Sequence, residues 1–240
     1  MMSENISKQV RALYMEDSRS KLTSVITKVG LSEINMKCYK WLQLDKTIFH
    51  PKGGGQLADE GTIGGIKVAY VHKEFFDKKH LDKFEIYHCF EADQPFNFVV
   101  GDEVELLVDA STRLLHSRLH TAGHVLAEAV NKCFPELEGH QGNHYLNNSY
   151  VKFKIRAPMP VESKEHIKQK TEAVFNSWID QNLEVADLLE PSGIRIVKVF
   201  ENWSPCGGTH VKNLKEIGRM KISDLSINKK EGTVTIKYSI

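Results

Sequence analysis

The sequence predicts an α+β protein with two domains: a small β-rich, barrel-like domain over residues 1–108, then an α+β domain over 109–240 in which an antiparallel sheet is packed by helices. Three observations carry that reading. Short runs of β-branched and aromatic residues, separated by turn-forming and charged residues, fill the stretch from about 20 to 108. A long stretch with helical spacing of apolar residues begins directly after it. Beyond that, strand-like runs return around one further helical segment.

The first domain is expected to contain strands at "TSVITKV" (23–29), "MKCYKWLQL" (36–44), "GGIKVAYVH" (64–72), "FEIYHCF" (84–90) and "DEVELLVD" (102–109). The next segment, "DASTRLLHSRLHTAGHVLAEAVNKCF", opens on Asp, Ser and Thr, residues whose side-chain oxygens cap helix N-termini. Leu114, Leu115, Leu119, Ala122, Val125, Leu126, Ala129 and Val130 then recur at helical spacing, which predicts a helix over 111–133. A strand follows at "NNSYVKFKI" (147–155), a second helix over 161–182, and strands at "LEVADLL" (183–189), "IRIVKVF" (194–200) and "GRMKISDLSI" (218–227). The turn "NKKEG" joins the last of these to "TVTIKYSI" (233–240), giving a terminal hairpin.

With 240 residues, 41% of them hydrophobic, the chain can bury a core without staples. The start "MMSENISKQV" is polar where a secretory signal needs an apolar run, and no stretch is long enough to cross a bilayer, so a cytoplasmic protein without a membrane partner is expected. A net charge of +1 excludes a broadly basic nucleic-acid coat and leaves room for a local basic patch. Cys38, Cys89, Cys133 and Cys206 are scattered without paired spacing, which argues against a disulfide framework. Oligomeric state is left between a monomer and a weak homodimer.

Chemistry concentrates in three places. In "PCGGTHVKN", Cys206 stands four residues before His210 on a segment too glycine-rich for a helix. The long predicted helix carries His116, His120 and His124, each four residues from the next and therefore on one face. Two imidazoles at i and i+4 can hold one ion, but His116 and His124 lie about 12 Å apart along the axis and cannot share it. The pair is His116 with His120 or His120 with His124. Either pair, joined by Cys206 and His210, supplies four nitrogen and sulfur donors, the set that tetrahedral Zn²⁺ takes. The sequence separation is far too long for a zinc finger, so the site must be tertiary. Thr121, Ala122 and Gly123 stand between the histidines, where a zinc peptidase needs a glutamate, which excludes that class.

The third place is "LDKTIFHPKGGGQLADEG" (44–61). Gly53, Gly54 and Gly55 in succession cost backbone entropy and suit a close approach to a ligand. Gln56 both donates and accepts hydrogen bonds, which suits holding a ribose hydroxyl, an ester carbonyl or a water.

Together "HTAGH", "CGGTHV" and "DKTIFHPKGGGQLADEG" resemble, in order, the zinc and glycine-rich motifs of the editing domain of alanyl-tRNA synthetase and of free-standing AlaX-type proteins, here in their medium-length form. The match covers about residues 40 to 240. One departure is His50, where the family often carries Tyr. The resemblance implies one Zn²⁺ per chain on His120, His124, Cys206 and His210, with His116 a bystander. It implies hydrolysis of the ester joining serine, and sometimes glycine, to the acceptor end of alanine tRNA, by a protein acting in trans. Gln56 and Thr47 are then the expected catalytic side chains, with Thr47 reading the serine hydroxyl. Gly54, Gly55, Gly207 and Gly208 are expected to line the substrate, and Asp59 to cap the glycine loop. Phosphate contacts are expected among Arg113, Arg118, Lys164, Lys168 and Lys170. The alternatives are a zinc-containing tRNA-binding module without hydrolytic activity, and a zinc hydrolase of another small ester.

Overall fold

The computed structural model describes residues 10–34, 37–76, 83–158, 163–191 and 194–240. Cα packing groups the chain into two compact units. Unit 1 comprises residues 1–53, 58–113 and 189–194; unit 2 comprises 54–57, 114–188 and 195–240.

Unit 1 holds β1 (Arg11–Ala12), β2 (Lys21–Ile34), β3 (Lys37–Leu44), β4 (Lys46–Thr47), β5 (Gly61–Ile63), β6 (Ile66–Lys67), β7 (Tyr70–Phe75), β8 (Phe84–Glu91) and β9 (Glu103–Val108). Seven of them form one sheet in the order β6-β5-β9-β2-β3-β8-β7, with all six pairings antiparallel. The long strand β2 pairs with β9 along residues 21–25 and with β3 along 26–34, and its register shifts between Ile26 and Lys28. Alternation decides which face is buried: in β9, Val104, Leu106 and Val108 point inward while the residues between them are exposed. They join Leu42, Leu44, Phe49, Ile63, Val71, Ile86 and Phe90 in one core. The expected strand at 64–72 is broken at Val68–Ala69 into β6 and β7, and Met36 of the expected strand 36–44 lies outside the described residues.

Helix α1 (Ala110–Cys133) starts as its sequence predicts: Asp109 Oδ1 accepts hydrogen bonds from the backbone N–H groups of Ser111 and Thr112. Beyond its first turn it belongs to unit 2, with β10 (Leu137–Tyr145), β11 (Asn148–Ile155), α2 (Lys164–Asp180), β12 (Ala186–Leu189), β13 (Arg195–Val199), β14 (Asn202–Pro205), β15 (Lys221–Asn228) and β16 (Thr233–Ser239). Residues 161 and 162 of the expected second helix lie outside the described residues, and Ser163 caps α2 by accepting from the His166 N–H. Strands β10-β11-β16-β15 form an antiparallel sheet, and β13 and β14 a hairpin.

The core of unit 2 takes Leu119, Ala122, Val125, Leu126, Ala129 and Val130 from α1, Ile167, Phe175 and Ile179 from α2, and Val151, Phe153, Val234 and Ile236 from the sheet. Leu114, expected on that face, is 46% exposed because it precedes the stretch of helix that this core covers. Strand β10 was not expected. Its sequence, LEGHQGNHY, has no β-branched residue and two glycines, and it is formed by its pairing with β11 at the edge of the sheet. Among the described residues no helix is long and apolar enough to cross a membrane.

Candidate metal centre and its surroundings

Unit 2 brings His120, His124, Cys206 and His210 together, their potential ligand atoms all within 4.8 Å of one another. Cys206 Sγ lies 3.5 Å from His120 Nε2, 3.5 Å from His124 Nε2 and 3.2 Å from His210 Nε2. Bonds of about 2.3 Å to sulfur and about 2.0–2.1 Å to nitrogen around a tetrahedral ion put sulfur and nitrogen about 3.5 Å apart. The donor set and its spacing therefore fit Zn²⁺. His116, one turn earlier on α1, is outside this group.

The hydrogen bonds behind the rings favour the same conclusion. His120 Nδ1–H donates to Gln56 Oε1 at 2.6 Å, and the same oxygen accepts the Thr209 N–H at 3.0 Å. Thr121 Oγ1 donates to the Ser117 carbonyl at 2.8 Å, so it accepts from His210 Nδ1–H at 3.1 Å. Both rings thus carry their proton on Nδ1 and turn the Nε2 lone pair toward Cys206, the tautomer a metal ligand needs. His124 makes no such second hydrogen bond and lines a cavity instead. Burial, helped by the positive charge of Arg195, pulls its pKa down to about 4, so it too is a neutral donor at neutral pH. Burial pushes the Cys206 thiol up, opposed by the Gly208 N–H and Arg195. Buried in this way, its thiolate calls for a nearby cation.

The loop carrying Cys206 is braced by a residue that sequence reasoning missed. Arg195, 7% exposed, pairs with Asp187 and donates to the carbonyls of Gly208 (2.6 Å) and Cys206 (3.5 Å). Gly208 sits so close to the site that a Cβ there would stand 2.0 Å from the His120 ring and 2.9 Å from Gln56 Oε1. Gly207, next to it, is exposed. In the other glycine run, Gly54 and Gly55 have φ of 57° and 76°, and a Cβ on Gly55 would meet the Gly142 carbonyl oxygen at 2.4 Å. The close approaches made by Gly55 and Gly208 are thus to the protein's own β10 and His120.

Gln56 is fully buried: beyond its two accepted hydrogen bonds, its Nε2 donates to Thr209 Oγ1 at 2.8 Å. Thr47 lies in unit 1, fully buried, with Oγ1 2.8 Å from His88 Nε2 and accepting the Phe49 N–H at 3.1 Å. Also in unit 1, Asp59 forms a buried two-point ion pair with Arg113 and accepts the His50 N–H. Arg113, expected as a phosphate contact, is therefore committed to Asp59 and to the Ile48 carbonyl. Arg118 donates to the Ile217 carbonyl at 2.9 Å, and Lys170 lies 3.4 Å from the Cys133 carbonyl. Lys164 is exposed and Lys168 half-buried.

A second residue missed from sequence is His144 on β10. Its ring stacks on His120 with centroids 4.8 Å apart, and its Nδ1–H donates at 2.8 Å to Tyr238 Oη, which in turn donates to the Leu119 carbonyl at 2.7 Å. No sequence signal marks His144, since its strand is itself unreadable from composition.

A partly buried cluster of three imidazoles and a thiol, supported by hydrogen-bonded side chains on an α+β frame, defines a candidate zinc site of the synthetase-editing type. Residues 194–235 match the family model described as the threonyl and alanyl tRNA synthetase second additional domain. The chain is 36% identical over 187 residues to the alanyl-tRNA editing protein AlaX-M of Pyrococcus horikoshii, covering 74% of this chain and 77% of that protein. It is 30% identical over 212 residues to the AlaX-M protein of Methanosarcina barkeri, covering 78% and 83%. It is also 30% identical over 198 residues to the alanine–tRNA ligase of Prochlorococcus marinus, covering 75% of this chain and 21% of the ligase. The chain belongs to the AlaX-M family of alanyl-tRNA editing proteins.

Proposed function

We propose that this protein edits alanine tRNA in trans, hydrolysing the ester that joins serine, and also glycine, to the ribose at the acceptor end. Water adds to the ester carbonyl carbon, the carbon–oxygen bond to the ribose breaks, and the ribose oxygen takes up a proton. The observation that carries this reading is the four-donor cluster with two histidine tautomers fixed by Gln56 and Thr121, in a chain of this family. His120, His124, Cys206 and His210 would hold one Zn²⁺ per chain, and the ion would supply charge stabilisation to the ester hydrolysis. A site closed by four ligands has no open position, and His124, with no second hydrogen bond, is the donor we expect to yield.

Gln56 keeps its neighbour His120 oriented and retains one N–H for the substrate or its water. Thr47 is assigned to serine selection. His88 Nδ1 is 3.4 Å from the Leu42 carbonyl, so its Nε2 accepts the Thr47 hydroxyl proton, and Oγ1, which also accepts the Phe49 N–H, keeps one lone pair as a further acceptor. A serine hydroxyl can donate to it and alanine cannot. Gly54, Gly55, Gly207 and Gly208 are the backbone we assign to the terminal ribose, Gly55 and Gly208 through the close packing of β10 and His120 that their missing side chains allow, and Lys164 and Lys168 are assigned to phosphate. We also retain domains at 1–108 and 109–240, a cytoplasmic location, and a barrel-like curl of the first sheet. The curl is supported by the division of β2 between two partner strands on either side of its register shift.

The test is deacylation of alanine tRNA charged with serine, glycine or alanine, with zinc content measured in parallel. Wild type should release serine and spare alanine, and Cys206→Ala should lose both zinc and activity. Undiminished deacylation by a zinc-free Cys206→Ala protein would overturn the role of the metal, and no release of serine by zinc-loaded wild type would overturn the function.

A further inference from the structure

Beside the four-donor cluster, and wholly within unit 2, lies a cavity of about 480 Å³ lined by His124, Glu128, Gly142, His144, Asn202 and Ser204, among others. Its chemistry is one-sided. Two carboxylates, Glu128 and Glu138, border it and no lysine or arginine does. Glu138 is paired with Arg156 on the surface. Glu128, two turns after His120 on α1, accepts one hydrogen bond, from Asn202 Nδ2 to Oε2 at 2.6 Å, and its other oxygen is unpartnered. His144 is only 6% exposed, and its Nδ1–H is held by Tyr238, so its Nε2 carries a lone pair. Among the described residues that nitrogen has no hydrogen-bond partner.

The ring of His144 is also built in rather than incidental. A Cβ on Gly123 would stand 2.2 Å from its Cε1, and a Cβ on Gly142 would stand 2.4 Å from its Nε2. Two positions on two elements lack a side chain where this ring sits. A polar atom that faces a cavity without a protein partner is met by water or by a ligand. Here the vacant acceptor and the half-buried carboxylate face one cavity next to the metal centre, and together they suit a donor that carries positive charge.

We propose that His144 and Glu128 form the subsite for the α-ammonium group of the aminoacyl ester, His144 Nε2 accepting one of its N–H bonds and the Glu128 carboxylate matching its charge. This rests on the editing function proposed above and adds which end of the substrate this cavity reads. An α-amino group ionises near pH 8 in a peptide and lower beside an ester, so at neutral pH a cationic fraction of the substrate is present for the subsite to select. The subsite makes the protein selective for free aminoacyl esters over N-blocked ones, while reading nothing of the side chain.

The experiment compares seryl and N-acetylseryl esters of alanine tRNA as substrates of zinc-loaded wild type, Glu128→Gln, His144→Gln and His144→Ala. Glu128→Gln is isosteric and keeps an acceptor for Asn202 Nδ2. Hydrogen bonds to charged groups contribute about 1.5–3 kcal/mol, or roughly 10- to 100-fold. N-acetylation should lower kcat/KM of wild type by that factor, mainly through KM. Glu128→Gln and His144→Ala should lose a similar factor on the seryl ester and change little on the N-acetyl ester, and His144→Gln, which keeps an acceptor, should recover part of the loss. Equal losses on both esters, or a wild type indifferent to N-acetylation, would overturn the subsite and leave the editing function standing. In parallel, calorimetric binding of the hydrolysis-resistant seryl-amide of adenosine and of its N-acetyl form tests the subsite without turnover. Equal affinities for the two would count against it.

Discussion

The two units bury polar clusters of opposite character. In unit 1 the cluster is held by hydrogen bonds within the protein: Asp59 meets Arg113 at two points and the His50 N–H at a third, and Thr47 meets His88 and the Phe49 N–H. In unit 2 the hydrogen bonds lead the other way. Gln56 and Thr121 each take the Nδ1 proton of a histidine, which turns the Nε2 lone pairs of those rings onto Cys206. The ion pair of the first cluster balances its own charge, whereas the second gathers lone pairs and a thiol that suit a bound cation. Burial alone therefore does not distinguish a structural cluster from a functional one; the direction of the hydrogen bonds does.

The largest expected effect breaks the first cluster. The side chain of Asp59 is fully buried and that of Arg113 is 10% exposed. Removing one partner leaves the other charge buried alone, so Arg113→Ala should lower the unfolding free energy by about 3–5 kcal/mol. Replacing both at once with Asp59→Leu and Arg113→Met should restore much of it. Because this cluster needs no cation, the loss measured in urea should be the same with and without a zinc chelator. A loss that disappears once zinc is stripped would mean that the ion pair acts through the metal centre and that the two clusters are not of different kinds.

A somewhat smaller effect comes from pH. Full burial, the dominant cause, holds the pKa of His88 down to about 4, against an ordinary value of about 6.5. Above pH 6.5 the ring is neutral folded and unfolded, and it contributes no pH dependence. As pH falls from about 6.5 to about 4 only the unfolded chain takes up the proton, so stability is lost through that window by up to about 3 kcal/mol, and no further below it. His88→Gln keeps a polar partner for Thr47 and should remove this part of the pH dependence. If the stability difference between wild type and variant stays constant from pH 7 to pH 4, His88 is not held neutral and its bond to Thr47 is not the closed contact described.

Much of this was legible in the sequence, and the exceptions share a cause. Helix α1 and its buried residues follow from apolar period and an N-cap, and β8, β9 and β16 from runs of strand-forming residues. A four-donor set was legible because its spacing is local, i and i+4 on a helix and on a loop, but that spacing left His116 and His124 as alternatives and the family resemblance made the choice. Arg195 and His144 were not, because each does its work through partners far away in sequence, such as Gly208 and Tyr238. Gln56 lies between these cases: its motif marked it as functional, but its contacts with His120 and Thr209 across the fold could not be read from the motif.

Those contacts give the smallest and most discriminating effect. If Gln56 acts chiefly by fixing the tautomer and orientation of His120, Gln56→Ala should weaken zinc affinity by about 10- to 100-fold, the usual consequence of losing a partner behind a metal ligand. That is about 1.4–2.7 kcal/mol, measurable by competition with a zinc indicator. Gln56→Glu restores an acceptor for the His120 Nδ1–H but cannot donate to Thr209 Oγ1, so it should recover part of the affinity. With zinc saturating, the remaining defect in serine release isolates what the free N–H of Gln56 does for the substrate. Unchanged zinc affinity beside a large loss of deacylation would make Gln56 a group that meets the substrate directly, and the hydrogen bond to His120 would then be its anchor and not its purpose.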